Sequence, residues 1–367
     1  MTCLAATAAL WTQVPANAQD DKITVSGLLD WYYQYSFNHP SVMSTLGGRA
    51  FDVKHNSFSL SLGEVTINRA VSDKNPVGFT ATLTVGKTAD LVHFTEPGTA
   101  ETYKHIQQLF GTYVRQGSRP ITIDFGKFVT AHGFEVIESS SNDNYSRGLL
   151  FYYAVPLYHM GIRASVPLSD KLTGMVHLVN GWNNVEDDNG GKSIGLTFNF
   201  KPNAKWNFIL NHMSGDEGGP PSPAPGFFGG IGFPTAQVLM THLLDLVVIY
   251  NPSAKLKLGL NADYADASKS GAAGGHWSGW ALYARQALGD KTAIALRWDR
   301  LDDTNGLRTG AAQHVTSLTA TFEYLLGASI VSRLELRHDR AGTAIFPSAA
   351  GGGNRQTTLS YSQVYKF

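Results

Sequence analysis

The sequence predicts an all-β protein, a transmembrane antiparallel β-barrel of about 16 strands with short periplasmic turns and long extracellular loops. Three observations predict it. Gln356 to Phe367 alternate strictly: Leu359, Tyr361, Tyr365 and Phe367 share one face, while Thr358, Ser360, Ser362 and Lys366 share the other, and only Gln363 interrupts the apolar side. A period of two is a strand. A strand closing on an aromatic suits a sheet that must seal onto its first strand in lipid, where an open edge would strand its backbone groups. The second observation is composition. There are 38 glycines, 19 Phe and 15 Tyr, with turn residues recurring throughout, as many short strands require. The third is alternation of loop length, which is the asymmetry of an outer-membrane barrel.

Residues 1–18 read as an export leader and residues 19–367 as one barrel domain. Leu4 to Trp11 form a short apolar core, and Ala16-Asn17-Ala18 offers a small-x-small cleavage site before Gln19. No Lys or Arg precedes Lys22, and the single Cys3 falls within the leader. One cysteine excludes a disulfide framework. Charged residues make up 16% and cancel to zero, so nothing points to nucleic acid.

Taken in order, the first strand sets Ile23, Val25, Leu29, Trp31, Tyr33 and Tyr35 against Thr24, Ser26, Asp30, Tyr32 and Gln34. A hairpin joins 57–70 to 77–86, and a slip in its alternation places a bulge at Gly63-Glu64. Ile194, Leu196, Phe198 and Phe200 oppose Ser193, Gly195, Thr197 and Asn199. Leu256, Leu258, Leu260 and Tyr264 oppose Lys255, Lys257, Asn261 and Asp263, and Leu334 and Leu336 oppose Arg333, Glu335 and Arg337. Long loops are expected at 38–55, 88–103, 130–145, 181–192, 214–237, 267–276, 302–313 and 341–354. A soluble sandwich would also alternate. Aromatics gathered near strand ends (Trp31, Tyr33, Tyr35, Trp206, Tyr250, Tyr264, Trp277, Trp280, Tyr365 and Phe367) favour interfacial girdles instead.

Phe125-Gly126-Lys127-Phe128-Val129-Thr130, Gly133 to Ser139, Asn144 to Phe151, Tyr153-Ala154-Val155-Pro156 and Asn180-Gly181-Trp182 resemble the OmpL-like outer-membrane β-barrel porins. The similarity covers most of the mature chain. It implies a bacterial outer-membrane pore and supplies neither a substrate nor a set of functional residues.

A barrel of this size is too wide for side chains to fill, so a lumen follows. Its expected wall charges are Arg163, Lys255, Lys257, Arg285, Arg297, Asp299, Glu323, Arg333, Glu335 and Arg337, with Asp30, Asp124, Asp245 and Asp263. Against lipid each would cost roughly 2–4 kcal/mol. Facing water they can sort solutes by charge, or form neutralising ladders such as Arg333–Glu335–Arg337. Loop 130–145 carries Glu135, Glu138 and Asp143 beside apolar Phe134, Val136 and Ile137. It is therefore expected to fold into the lumen as a constriction, its acids opposing the basic wall; the alternative is that Arg147 and Lys127 neutralise the loop locally. Tyr365 and Phe367 are the expected assembly signal.

The acidic stretch Glu186, Asp187 and Asp188 is either a solvated loop or a weak calcium candidate. The rival class, a barrel-embedded enzyme, has only His212–Ser214 and His276–Ser278 fragments without an orienting carboxylate. The expectation is therefore a channel, not an enzyme, with no cofactor or metal. It is either a porin for passive diffusion of small hydrophilic solutes and ions or a substrate-specific uptake channel. Its expected partners are outer-membrane lipid and lipopolysaccharide, the assembly machinery and its own copies in a homotrimer.

Overall fold

The computed structural model describes residues 22–42, 44–94, 96, 103–187, 189–217, 240–269 and 272–367. The expected leader, Cys3, Asp188 and most of loop 214–237 lie outside them.

Sixteen strands among the described residues close into one antiparallel barrel. They are β1 (Ile23–Ser36), β2 (Ser57–Arg69), β3 (Val77–Val85), β4 (Ile106–Arg115), β5 (Ile121–Val129), β6 (Tyr158–Ser169), β7 (Leu172–Val179) and β8 (Ser193–Asn203). There follow β9 (Trp206–Asp216), β10 (Met240–Tyr250), β11 (Leu256–Lys269), β12 (Ala272–Ala287), β13 (Thr292–Asp303), β14 (Gln313–Leu326) and β15 (Ile330–Ala341). A small hairpin, β16 (Phe346–Ser348) with β17 (Gly351–Gly353), precedes the closing strand β18 (Arg355–Lys366), which pairs with both β15 and β1.

The polarity is inside out. Leu296, Leu318, Leu336 and Leu359 point outward at 39–57% exposure, and Phe58 reaches 89%. Their sequence neighbours Arg297, Thr319, Arg337 and Thr358 are buried inside. Water would not tolerate such an apolar exterior, whereas hydrocarbon requires it. Glycine is obligatory at Gly126, where φ is 136° and a Cβ would lie 2.3 Å from the Leu109 carbonyl oxygen.

The structure departs from the alternation pattern in three places. The β1–β2 register shifts between Asp30 and Trp31, so the extra residue is Ser61 rather than Gly63-Glu64. Ser61 turns inward to bond Thr88, at the start of helix α1 (Lys87–Val92), which anchors the bulge. The expected loop at 267–276 is largely strand, because β11 and β12 run through it. Trp277 is no girdle residue: it is fully buried in the lumen, where its indole N–H donates to the Ala154 carbonyl at 3.1 Å.

Candidate functional site

The connection from β5 to β6, residues 130–157, crosses the lumen. Outside a 3₁₀ turn (Ser139–Ser141) and helix α2 (Leu149–Tyr153) it has no regular structure, so its backbone groups need partners from the wall. Near its root, Gly133 N donates to Asp245 at 3.0 Å and Phe134 N to Asn261 at 3.2 Å. Across the barrel, Tyr145 N and Ser146 N donate to Glu335 at 2.7 and 3.0 Å, and Leu149 N to Asp299 at 2.6 Å. Arg333 donates to the carbonyls of Ser139 and Asn142 at 2.6 and 2.7 Å, and Arg337 to that of Arg147 at 2.9 Å. Carboxylates on β10, β13 and β15 thus hold amides, and arginines on β15 hold carbonyls. The loop also touches β1, where Ser139 and the Tyr145 hydroxyl both donate to Asp30.

Charges expected at a constriction fall into three groups. Glu135 is enclosed, 2.8 Å from Arg297, which also donates to Ser146 and Thr319. Arg147 is equally enclosed, bonded to the Ile137 carbonyl and lying 4.6 Å over the Phe51 ring. A second group keeps contact with solvent. Asp143 lies 2.6 Å from Lys257 and 3.9 Å from Arg285, and Glu323 lies 2.6 Å from Arg285 and 2.8 Å from Arg333. Here the Lys257 and Arg285 side chains remain 14% and 21% exposed, against 6% and 8% for the two carboxylates. The third group lies elsewhere. Glu138 accepts from Gln107 beside Glu64 in a cavity of about 400 Å³ that Lys366 also lines. Arg163 pairs with Asp124 at 2.8 Å on the β5–β6 side. Lys255 sits in the turn before β11, because β11 starts only at Leu256. In the acidic loop, Asp187 pairs with Lys192 and Glu186 accepts from Tyr103.

Sequence reasoning missed how far this loop extends. Leu149 to Val155 is a continuous apolar run, and the structure packs it with Phe51, Trp182 and Trp277 in one apolar core within the barrel. Residues 44–56 fold inward beside it, held by Arg49 between Asp52 and Asp339, each at 2.6 Å. A run of seven apolar residues immediately after the expected loop was the available signal.

The root of the crossing loop also carries a titratable cluster. His132 shares the Thr130 hydroxyl with His159, at 3.0 and 3.2 Å, and His177 packs 5.4 Å from His159. Burial, and then His159, His177 and His212 nearby, hold His132 well below the ordinary histidine range. A lowered histidine costs stability once pH drops below the unfolded value near 6.5, because the unfolded chain then binds the proton more readily. Channel noise is accordingly expected to rise on acidification below about pH 6.5. His132→Gln should flatten that dependence in bilayer recordings, and an unaltered pH profile would exclude His132 as its source.

A barrel with apolar exterior, charged interior and a loop across its lumen is built as a channel. The family described as "Putative beta-barrel porin-2, OmpL-like" matches residues 22–367. The chain belongs to this family. It is a bacterial outer-membrane porin. Among curated proteins none matches the chain. The anion-selective porin from Comamonas acidovorans is similar in fold, with TM-score 0.60 and 12% identity over 94% of this porin and 99% of that chain. In vitro folded OmpT of Vibrio cholerae gives TM-score 0.60 and 10% identity over 96% and 100%. The outer-membrane channel DcaP of Acinetobacter baumannii gives 0.58 and 11% over 94% and 97%.

Proposed function

We propose that this porin passes small hydrophilic solutes and ions passively through the part of the lumen the crossing loop leaves open, and has no enzymatic role. The observation that supports this is the row Lys257–Asp143–Arg285–Glu323–Arg333, whose most solvent-exposed members, Lys257 and Arg285, are cationic. Charges in a narrow, weakly screened space bias ion passage strongly. In a salt gradient, Lys257→Gln with Arg285→Gln is expected to move the reversal potential toward cation preference. An unchanged potential would place the row outside the ion path. Glu135 acts here as a lock on the loop, and Glu138 as a charge at the mouth.

A substrate-specific uptake channel is the second reading, favoured by the apolar core around Leu149–Tyr153, which leaves little room for general diffusion. Liposome swelling with neutral sugars of rising size separates the two: a size cutoff without saturation supports diffusion, and saturation by one solute supports specific uptake. A homotrimer is part of the proposal, as is contact of Phe367 with assembly machinery. The leader at residues 1–18 completes it. OmpT has a trimer form of the same fold.

A further inference from the structure

On the outer wall, the cross-strand register brings two arginines face to face. Arg340, near the end of β15, pairs directly with Arg355, at the start of β18. Both are exposed and point away from the lumen, opposite in direction to Asp339 and Gln356, which are buried. Side chains at such a position stand about 5 Å apart at Cβ, and like charges there repel. Among the described residues neither guanidinium has a hydrogen-bond or ion-pair partner. The single outward-facing carboxylate on β13, β14, β15 and β18 is Asp302, and it is held by Arg300 at 2.6 Å. The barrel therefore carries an uncompensated pair of cations at one fixed height.

That height is informative. One step toward the membrane lie His338 and Thr357, which bond at 2.8 Å, and a further step down lie Leu336 and Leu359 at 49% and 39% exposure. Four residues of strand are about 13 Å. Arg340 and Arg355 thus stand just above the outer edge of the lipid-facing apolar band, at headgroup depth. Guanidinium groups there offer planar, bidentate donors matched to a phosphate, while the leucines beneath match acyl chains.

We propose that Arg340 and Arg355 form a binding site for the phosphate of an outer-leaflet lipid whose acyl chains lie along Leu336 and Leu359. The bound phosphate neutralises the opposed guanidiniums and fastens the β15–β18 side of the barrel to its lipid. The proposal rests on the outer-membrane placement alone and is independent of what the pore passes.

The test uses the full folded chain in neutral detergent, with bis-phosphorylated lipid A, dephosphorylated lipid A and inorganic phosphate as probes. Wild type should bind phosphorylated lipid A and melt at a higher temperature with it. Arg340→Gln with Arg355→Gln should bind it about tenfold more weakly or worse. Arg340→Lys with Arg355→Lys should fall between the two, keeping charge but losing the fork. Without lipid, the double glutamine variant should melt no lower than wild type, since a repulsion has been removed. Equal lipid A binding by wild type and the glutamine variant would overturn the proposal. So would equal binding of the dephosphorylated lipid, or displacement of lipid A by millimolar phosphate, which would mark a free-anion site. A lower melting temperature of the lipid-free glutamine variant would overturn it too, by assigning these arginines a structural role.

Discussion

Arg297→Met is expected to loosen the crossing loop and raise both single-channel conductance and open-channel noise several-fold. Arg297 is fully buried and donates to Glu135 at 2.8 Å, to the Ser146 carbonyl at 2.5 Å, to the Ser146 and Thr319 hydroxyls, and to Asp299 at 3.4 Å. Removing one partner of a buried ion pair costs roughly 3–5 kcal/mol, because the remaining charge is left without compensation. Here two carboxylates, Glu135 and Asp299, would be left so. Both also hold loop amides, Gly148 N and Leu149 N, each at 2.6 Å. The methionine fills much of the arginine's volume, so the effect isolates lost charge rather than lost packing. Arg297→Lys keeps the charge without the fork and should give a smaller increase. Arg333 still holds the loop at Ser139 and Asn142 and Arg337 at Arg147, so the barrel itself should still assemble and migrate as a heat-modifiable band. Bilayer recordings showing wild-type conductance and noise in Arg297→Met would mean that the loop is held without this residue.

Much of the barrel could be read from the chain because lipid and lumen impose opposite demands on successive residues. Leu334, Leu336, Arg333, Glu335 and Arg337 declare their faces without any tertiary information. The crossing loop was legible for the same kind of reason: Phe134 and Ile137 beside Glu135 are ill suited to an external loop. What each charge does was not legible. Arg333 and Arg337 look like a selectivity ladder in sequence, yet much of their bonding goes to loop carbonyls, and a carbonyl acceptor leaves no mark in a sequence. Nor could spacing show that Arg49, on a different loop, would reach Asp339 on β15, 290 residues away. Trp277 was misplaced because an aromatic near a strand end fits a girdle and a lumen core equally well. Only its register, opposite inward-facing Asp303, distinguishes them.

Phe367→Asp is expected to abolish most folded yield, although the charge itself accounts for little of the loss. Near the interface a carboxylate costs only about 0–1 kcal/mol on the lipid face. The larger effect lies at the seam. Gly27 N donates to the Phe367 carbonyl at 3.0 Å and Phe367 N to that of Gly27 at 3.1 Å, which extends the β1–β18 ladder. The Phe367 ring lies over Gly27, so closely that a Cβ there would stand 2.6 Å from the ring and 2.3 Å from the Glu64 carbonyl oxygen. An aromatic covering a strand glycine shields backbone bonds that would otherwise be frayed by water. Closure joins the two ends of the barrel sheet, a contact of very high sequence separation, so its loop-closure entropy must be met by the seam's own contacts. Phe367→Trp should therefore keep folded yield, and Gly27→Ala should lose it even with Phe367 intact, because the Glu64 carbonyl cannot withdraw without breaking the β1–β2 ladder. Heat-modifiable migration measures all three. Normal folded yield in Phe367→Asp would show that the seam closes on β1–β18 pairing without the aromatic cover.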